Sequence, residues 1–164
     1  MRSCSCSTLP RPDVGVPLPA VVAAEHRVDL IYILSDSDLA WNGTSVRLAE
    51  RASEGRRIAH IRFDEPCAHT FGPPNDEALS GHPLASRGLS PYAAWEVRNS
   101  SWIRSLERMN SGHPDHDAGC FERLRHFIVA FHDATFECIA SRYPARIERG
   151  SVASVIASQA ADWA

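Results

Sequence analysis

The chain has 164 residues, 44% of them hydrophobic and 23% charged, with a formal net charge of −3, a size and balance that suit one domain folded around its own core and argue against disorder throughout. All 17 residues in the Lys+Arg count are arginine, as GC-rich codon usage produces, and without an ε-amine there is no Schiff-base lysine, no pyridoxal phosphate anchor and no P-loop lysine. The slight acidity lacks the basic footprint that neutralises phosphates, so no nucleic-acid partner is expected.

Residues 1–20 are rich in Pro, Ser and Arg without periodicity and read as a flexible leader, with residues 21–164 as a single α+β domain. The leader lacks the continuous apolar core of a signal peptide, and no run elsewhere approaches the roughly 18 apolar residues of a membrane span. Five cysteines, an odd number in a chain of this length, read as reduced thiols and not as a disulfide framework. The expectation is a cytoplasmic protein with no membrane partner.

The run from Val28 to Leu34, VDLIYIL, is short, apolar and rich in β-formers, which predicts a buried strand. Asp36-Ser-Asp38 after it resembles the paired aspartates of haloacid-dehalogenase-type phosphatases, but Leu39-Ala-Trp41 replaces the small glycine-containing turn and the downstream lysine is absent. An EF-hand is excluded because Trp41 stands where Gly is needed and Arg47 where Glu is needed. Residues 44–63 fit a hairpin turning at Ser53-Glu54-Gly55 better than a helix starting at Thr44. Its second arm alternates Ala59, Ile61 and Phe63 against Ile58, His60 and Arg62.

Residues 64–88 form a Gly- and Pro-rich stretch with one helical turn at Asn75 to Leu79, where Asn75 suits an N-cap and Gly81 with Pro83 stops the turn. A loop this long is usually functional or disordered, and its Cys, Phe, Leu and His content argues against disorder. His69, His82, Asp76, Glu77 and Arg87 are its candidate ligand-binding residues, because binding groups concentrate on loops held by a rigid scaffold. Cys67, His69 and His82 are candidate ligands for a divalent metal such as zinc, which thiolate and imidazole suit. No C-x-x-C or H-E-x-x-H accompanies them.

Residues 92–98 read as a strand, and Asn99 or Ser100 caps a helix with Trp102, Ile103, Leu106 and Met109 on one face. Asp115 or Asp117 caps a shorter helix over Ala118 to Leu124. His126 to Ala140, HFIVAFHDATFECIA, predicts a hairpin turning at Asp133-Ala134, with Phe131 opposite Phe136, Val129 opposite Cys138 and Phe127 opposite Ala140 on an apolar core face. On the other face Glu137 becomes the diagonal neighbour of His132, a candidate acid–base pair. His126 and His132 stand roughly 20 Å apart along an extended strand, too far to share a metal. After Ser151, Val152, Val155, Ile156 and Trp163 line one stripe of a terminal helix.

The architecture expected is α+β, a mostly antiparallel sheet of about five or six strands with one to three helices packed on it. With no G-x-G-x-x-G and no G-x-S-x-G, nucleotide cofactors and the usual serine-hydrolase elbow lack their handles. The leading functional expectation is a ligand-binding or accessory domain, its small-molecule pocket lying between loop 64–88 and the polar face of hairpin 126–140. The alternatives are a metal-assisted hydrolase or acid–base enzyme using His132 and Glu137, and a module that binds a protein partner through the long loop and the terminal helix.

Overall fold

The computed structural model describes residues 3–6, 8–35 and 50–162. The turn-and-aspartate segment at Asp36 and Asp38, the first arm expected from Thr44, and Trp163 of the terminal stripe lie outside the described residues. The chain is α+β, as expected, but its strands form two antiparallel sheets. One sheet takes β1 (Ser3–Cys6), β6 (Ala93–Arg98), β7 (Arg125–Ala130), β8 (Thr135–Ala140) and β5 (Ala68–Gly72) in that spatial order. The other takes β2 (Ala20–Ala24), β3 (Arg27–Ile33), β4 (Arg56–Asp64) and β9 (Ala145–Gly150). Helices α1 (Ser101–Asn110), α2 (Ala118–Glu122) and α3 (Val152–Ala161) complete the described elements, and none is long and apolar enough to cross a membrane.

Two sheets replace the single expected one because the period-2 patterns of β3–β4 and β7–β8 each present a face that is apolar apart from Arg57 and Arg125 at the strand ends, and each face buries the other. Val28, Leu30, Tyr32, Ala59, Ile61 and Phe63 meet Phe127, Val129, Phe131, Phe136, Cys138 and Ala140 in one core. Phe63 packs against Phe127 at 5.9 Å and Phe136 at 5.6 Å between ring centroids, while Tyr32 meets Phe131 edge-on at 5.2 Å. Burying such a side chain stabilises the fold by about 1.5–3 kcal/mol.

The outer faces are covered too. Ile31, Ile33 and Ile58 lie under Val152 and Val155 of α3, which starts at a capping box between Ser151 and Ser154. Across the first sheet, Val97, Ile128 and Ala130 are covered by Leu79 and Leu84 from the long loop and by Leu89 just after it. That loop carries two 3-10 turns, Leu79–Gly81 and Ala85–Arg87, and Asn75 Oδ1 accepts from the Ala78 N–H at 3.0 Å, as the cap expectation required. The stretch expected to be a loop is thus held in two ways: Ala68–Gly72 form β5, paired along its length with β8, and the leucines after it make the remainder a layer of the core.

The leader expected over 1–20 takes part in the fold where it is described. β1 pairs with β6 from Ser3↔Arg98 to Cys6↔Trp95, Leu9 is 4% exposed in the central core, and the Tyr32 hydroxyl donates to the Pro10 carbonyl. Backbone pairing at a sheet edge needs no side-chain periodicity, so it leaves no pattern in the sequence.

The β7–β8 hairpin differs from expectation in one consequential way. Val129 stands opposite Phe136 and Phe127 opposite Cys138, and the Phe131 N–H bonds the Ala134 carbonyl at 2.9 Å. The turn therefore centres on His132-Asp133, one position earlier than expected, and every partner shifts by two. A shift of two preserves the faces, so the phenylalanines still point into the core while the polar neighbours change.

Candidate functional site

Glu137 stands opposite Ile128, which makes His126 its diagonal neighbour; the expected Glu137–His132 pair does not form. His126 Nε2 lies 2.8 Å from Glu137 Oε2. His82, brought over the same sheet face by the covering loop, places Nε2 3.1 Å from Oε1. One carboxylate is thus held between two imidazoles whose rings are almost completely buried, with side chains 8% (His82) and 5% (His126) exposed.

The proton positions follow from the other ring nitrogens. The Leu84 N–H donates to His82 Nδ1 at 3.1 Å, so Nε2 carries the hydrogen and donates to Glu137. Ser100 is the N-cap of α1, and its Oγ accepts from the Trp102 and Ile103 N–H groups, each at 3.2 Å. With both lone pairs engaged, the hydroxyl hydrogen is directed at His126 Nδ1, 2.9 Å away. His126 Nε2 then holds its own hydrogen, which it donates to Glu137. The result is a directed chain from Ser100 through His126 to Glu137, with the Trp102 ring edge-on to His126 at 5.3 Å.

Burial disfavours the charged form of Glu137, but the N–H donors of His126 and His82 together outweigh it and hold the carboxyl below the usual carboxylate range. The charge is felt by its neighbours: the Cys4 thiol on β1 is pushed up, first by burial and then by Glu137. The network forms the polar side of a cavity of about 400 Å³, whose other walls include Pro73, Pro74, Leu84, Val97 and Trp102.

His132 serves a different contact. Its Nδ1 lies 2.9 Å from Asp76 Oδ2 and 3.2 Å from the Tyr92 hydroxyl, and the Tyr92 hydroxyl also donates to Asp76. The Asp76 N–H bonds the His132 carbonyl at 3.0 Å, and Thr135 Oγ1 donates to the Pro74 carbonyl at 2.8 Å. Together these contacts clamp the start of the covering loop, and with it one cavity wall, to the β7–β8 turn. The hydrogen bonds from Tyr92 and His132 lower the pKa of Asp76, and the hydrogen bond to Asp76 raises that of His132. Asp76 is therefore a wall fastener. Glu77 is exposed beside it, donating its N–H to Asp76 Oδ1 at 2.8 Å, and Arg87 is exposed at the end of the second 3-10 turn.

The candidate metal set is divided by the sheet. His69 is paired with Cys138 and Thr70 with Glu137, so alternation puts His69 on the opposite face from Glu137 and His82. Cys67 lies on the His69 side, where it contributes, after burial, to raising the pKa of the Cys138 thiol. Cys67, His69 and His82 therefore do not converge. Among the described residues no group of three or more His, Cys, Asp and Glu side chains is placed to hold a metal ion.

Two polar partnerships escaped sequence reasoning. Ser100 was legible only as a helix cap, since nothing local indicates which ring its hydroxyl meets. Asp29 sits within the apolar run of β3, fully buried, with Oδ1 2.8 Å from His60 Nε2 and Oδ2 2.6 Å from Arg27 Nε. A carboxylate in the middle of a buried strand requires partners, and that was the available signal for His60.

Comparison with protein-family models, with curated proteins and with solved structures found no match to this chain.

Proposed function

We propose that the cavity is an acyl-transfer site that hydrolyses small esters, with Ser100 as nucleophile, His126 as general base and Glu137 as the carboxylate that orients the imidazole. The observation that carries this reading is the directed hydrogen-bond chain from Ser100 Oγ to His126 Nδ1 and from His126 Nε2 to Glu137 at the edge of a cavity. A serine hydroxyl is a poor nucleophile until a base takes its proton, and the base works best when a third group fixes its tautomer and stabilises the imidazolium. Glu137 is suited to that task because its lowered pKa keeps it ionised at neutral pH.

In the step proposed, Ser100 Oγ forms a bond to the ester carbonyl carbon as its proton passes to His126 Nδ1. The carbon–oxygen bond to the alcohol then breaks, and the alcohol leaves with that proton. Water, deprotonated by the same nitrogen, attacks the acyl group and regenerates Ser100 with release of the acid. Glu137 remains a carboxylate throughout. His82 is a positioning residue: it holds the second carboxylate oxygen, so that the first stays aimed at His126. Ser100 caps α1, so an oxyanion formed beside it lies near the positive end of the helix dipole, which lowers its energy.

A second reading is favoured by the cap itself. Both Ser100 lone pairs already bond N–H groups of α1, which suits a network that only bolts the helix to the sheet beside a cavity that binds without turnover. The test uses p-nitrophenyl acetate hydrolysis together with labelling by a fluorophosphonate, whose adduct is located by peptide mass mapping. Catalysis requires label on Ser100 and a loss of about 10²-fold or more in hydrolysis for Ser100→Asp, a variant that keeps a good helix cap. Wild-type protein that is neither labelled at Ser100 nor active on the ester overturns catalysis and leaves the binding reading.

A further inference from the structure

A second cavity, of about 500 Å³, adjoins the first and shares with it only Val97 and Ser100. The two differ in chemistry. Around the first, the walls away from the network are proline, leucine, valine and tryptophan with the small polar Thr70 and Ser101, and the one formal charge is the Glu137 carboxylate. Around the second stand Arg98, Arg104 and Arg125 against Glu96 and Glu122, which is three cationic groups and two anionic ones. Arg125 and Glu96 largely cancel each other: Arg125 Nε donates to Glu96 Oε1 at 3.1 Å, and its terminal nitrogen reaches Oε2. Arg98 and Arg104 therefore outweigh Glu122, on the flank of Ser100 away from Glu137.

A nucleophile at the junction of two cavities divides an ester at the bond it breaks, one part to each side. Resting on the acyl-transfer reading above, we propose that the substrates are esters with a compact uncharged acyl group and a leaving group bearing a negative charge. The acyl group occupies the proline- and leucine-walled cavity, where a carboxylate on it would face Glu137. The leaving group lies toward Arg98 and Arg104, which attract an anion as it binds and departs. Arg104 is preset for this, with one guanidinium nitrogen already donating to the Asn99 carbonyl at 2.9 Å.

The test compares 3-acetoxybenzoate with 3-acetoxy-N,N,N-trimethylanilinium, which carry the same acetyl group and leaving groups of opposite charge, each rate being normalised to the ester's hydroxide-catalysed hydrolysis. At low ionic strength the normalised kcat/KM is expected to favour the anionic ester by about tenfold. That preference falls as salt is added and drops to about one in Arg98→Gln/Arg104→Gln. Equal normalised rates on the two esters, in protein whose hydrolysis is abolished by Ser100→Asp, overturn the leaving-group assignment while keeping the acyl-transfer site. Absence of Ser100-dependent hydrolysis on either ester overturns both.

Discussion

Glu137 and His126 are joined at 2.8 Å across adjacent strands although they stand eleven positions apart in the chain, and this partnership exists because the β7–β8 turn centres on His132-Asp133. A turn one position later would have delivered Glu137 to His132. The placement of a single tight turn thus divides two imidazoles between two tasks: His126 faces the cavity, and His132 fastens the loop that walls it.

The division is measurable by NMR titration of the histidine rings. His132 is expected to titrate above the ordinary value of 6.5 because Asp76 bonds and attracts the imidazolium, and Asp76→Asn should bring it down. Glu137→Gln should leave it in place. A raised folded-state pKa means that the Asp76–His132 contact contributes fully below pH 6.5 and fades as pH rises through the folded value. A His132 titration that responded to Glu137→Gln and not to Asp76→Asn would reverse the assignment of partners.

Glu137 has the opposite sign. Its folded-state pKa lies below the ordinary 4.5, so its contribution is present above pH 4.5 and is lost as pH falls through the folded value. The wild-type melting temperature is expected to drop more steeply between neutral pH and pH 3 than that of Glu137→Gln. The variant should be less stable at pH 7, because its amide nitrogen faces an imidazole N–H that needs an acceptor. Parallel Tm–pH curves for the two proteins would remove Glu137 from the network.

Asp29 is fully buried between His60 and Arg27, so removing its carboxylate leaves polar partners without compensation. Asp29→Ala is expected to cost about 3–5 kcal/mol in urea unfolding. Asp29→Asn, whose carbonyl still accepts from His60, should cost less. Equal losses for the two variants would mean that the negative charge, which both remove, sets the whole cost, and that neither the retained His60 acceptor nor the retained volume matters.

Leu9 tests the N-terminal segment. With 4% exposure in the core shared by both sheets, Leu9→Ala is expected to lose about 2 kcal/mol or more. A leader that moved freely would show a change within about 0.5 kcal/mol, as surface substitutions do.

Much of the fold was legible in local pattern. The apolar run of β3, the alternation of β4, the faces of β7 and β8, the Ser100 cap of α1 and the Ser151 cap of α3 can all be read from a few adjacent residues, because each depends on a period or a cap. Even the misplaced hairpin turn left Phe127, Val129, Phe136 and Cys138 facing the core, since sheet faces repeat every two residues and a shift of two returns each side chain to its own side.

Partners across space were a different matter. That Glu137 meets His126 and His82, that Ser100 aims its hydroxyl at His126, and that Cys67 and His69 lie across the sheet from His82 all depend on register and on the path of the covering loop. So does the pairing of β1 with β6, which rests on backbone groups that every residue carries alike. Periodicity determines which way a side chain faces, whereas the identity of its neighbour is set by long-range closure, and only the folded chain supplies that.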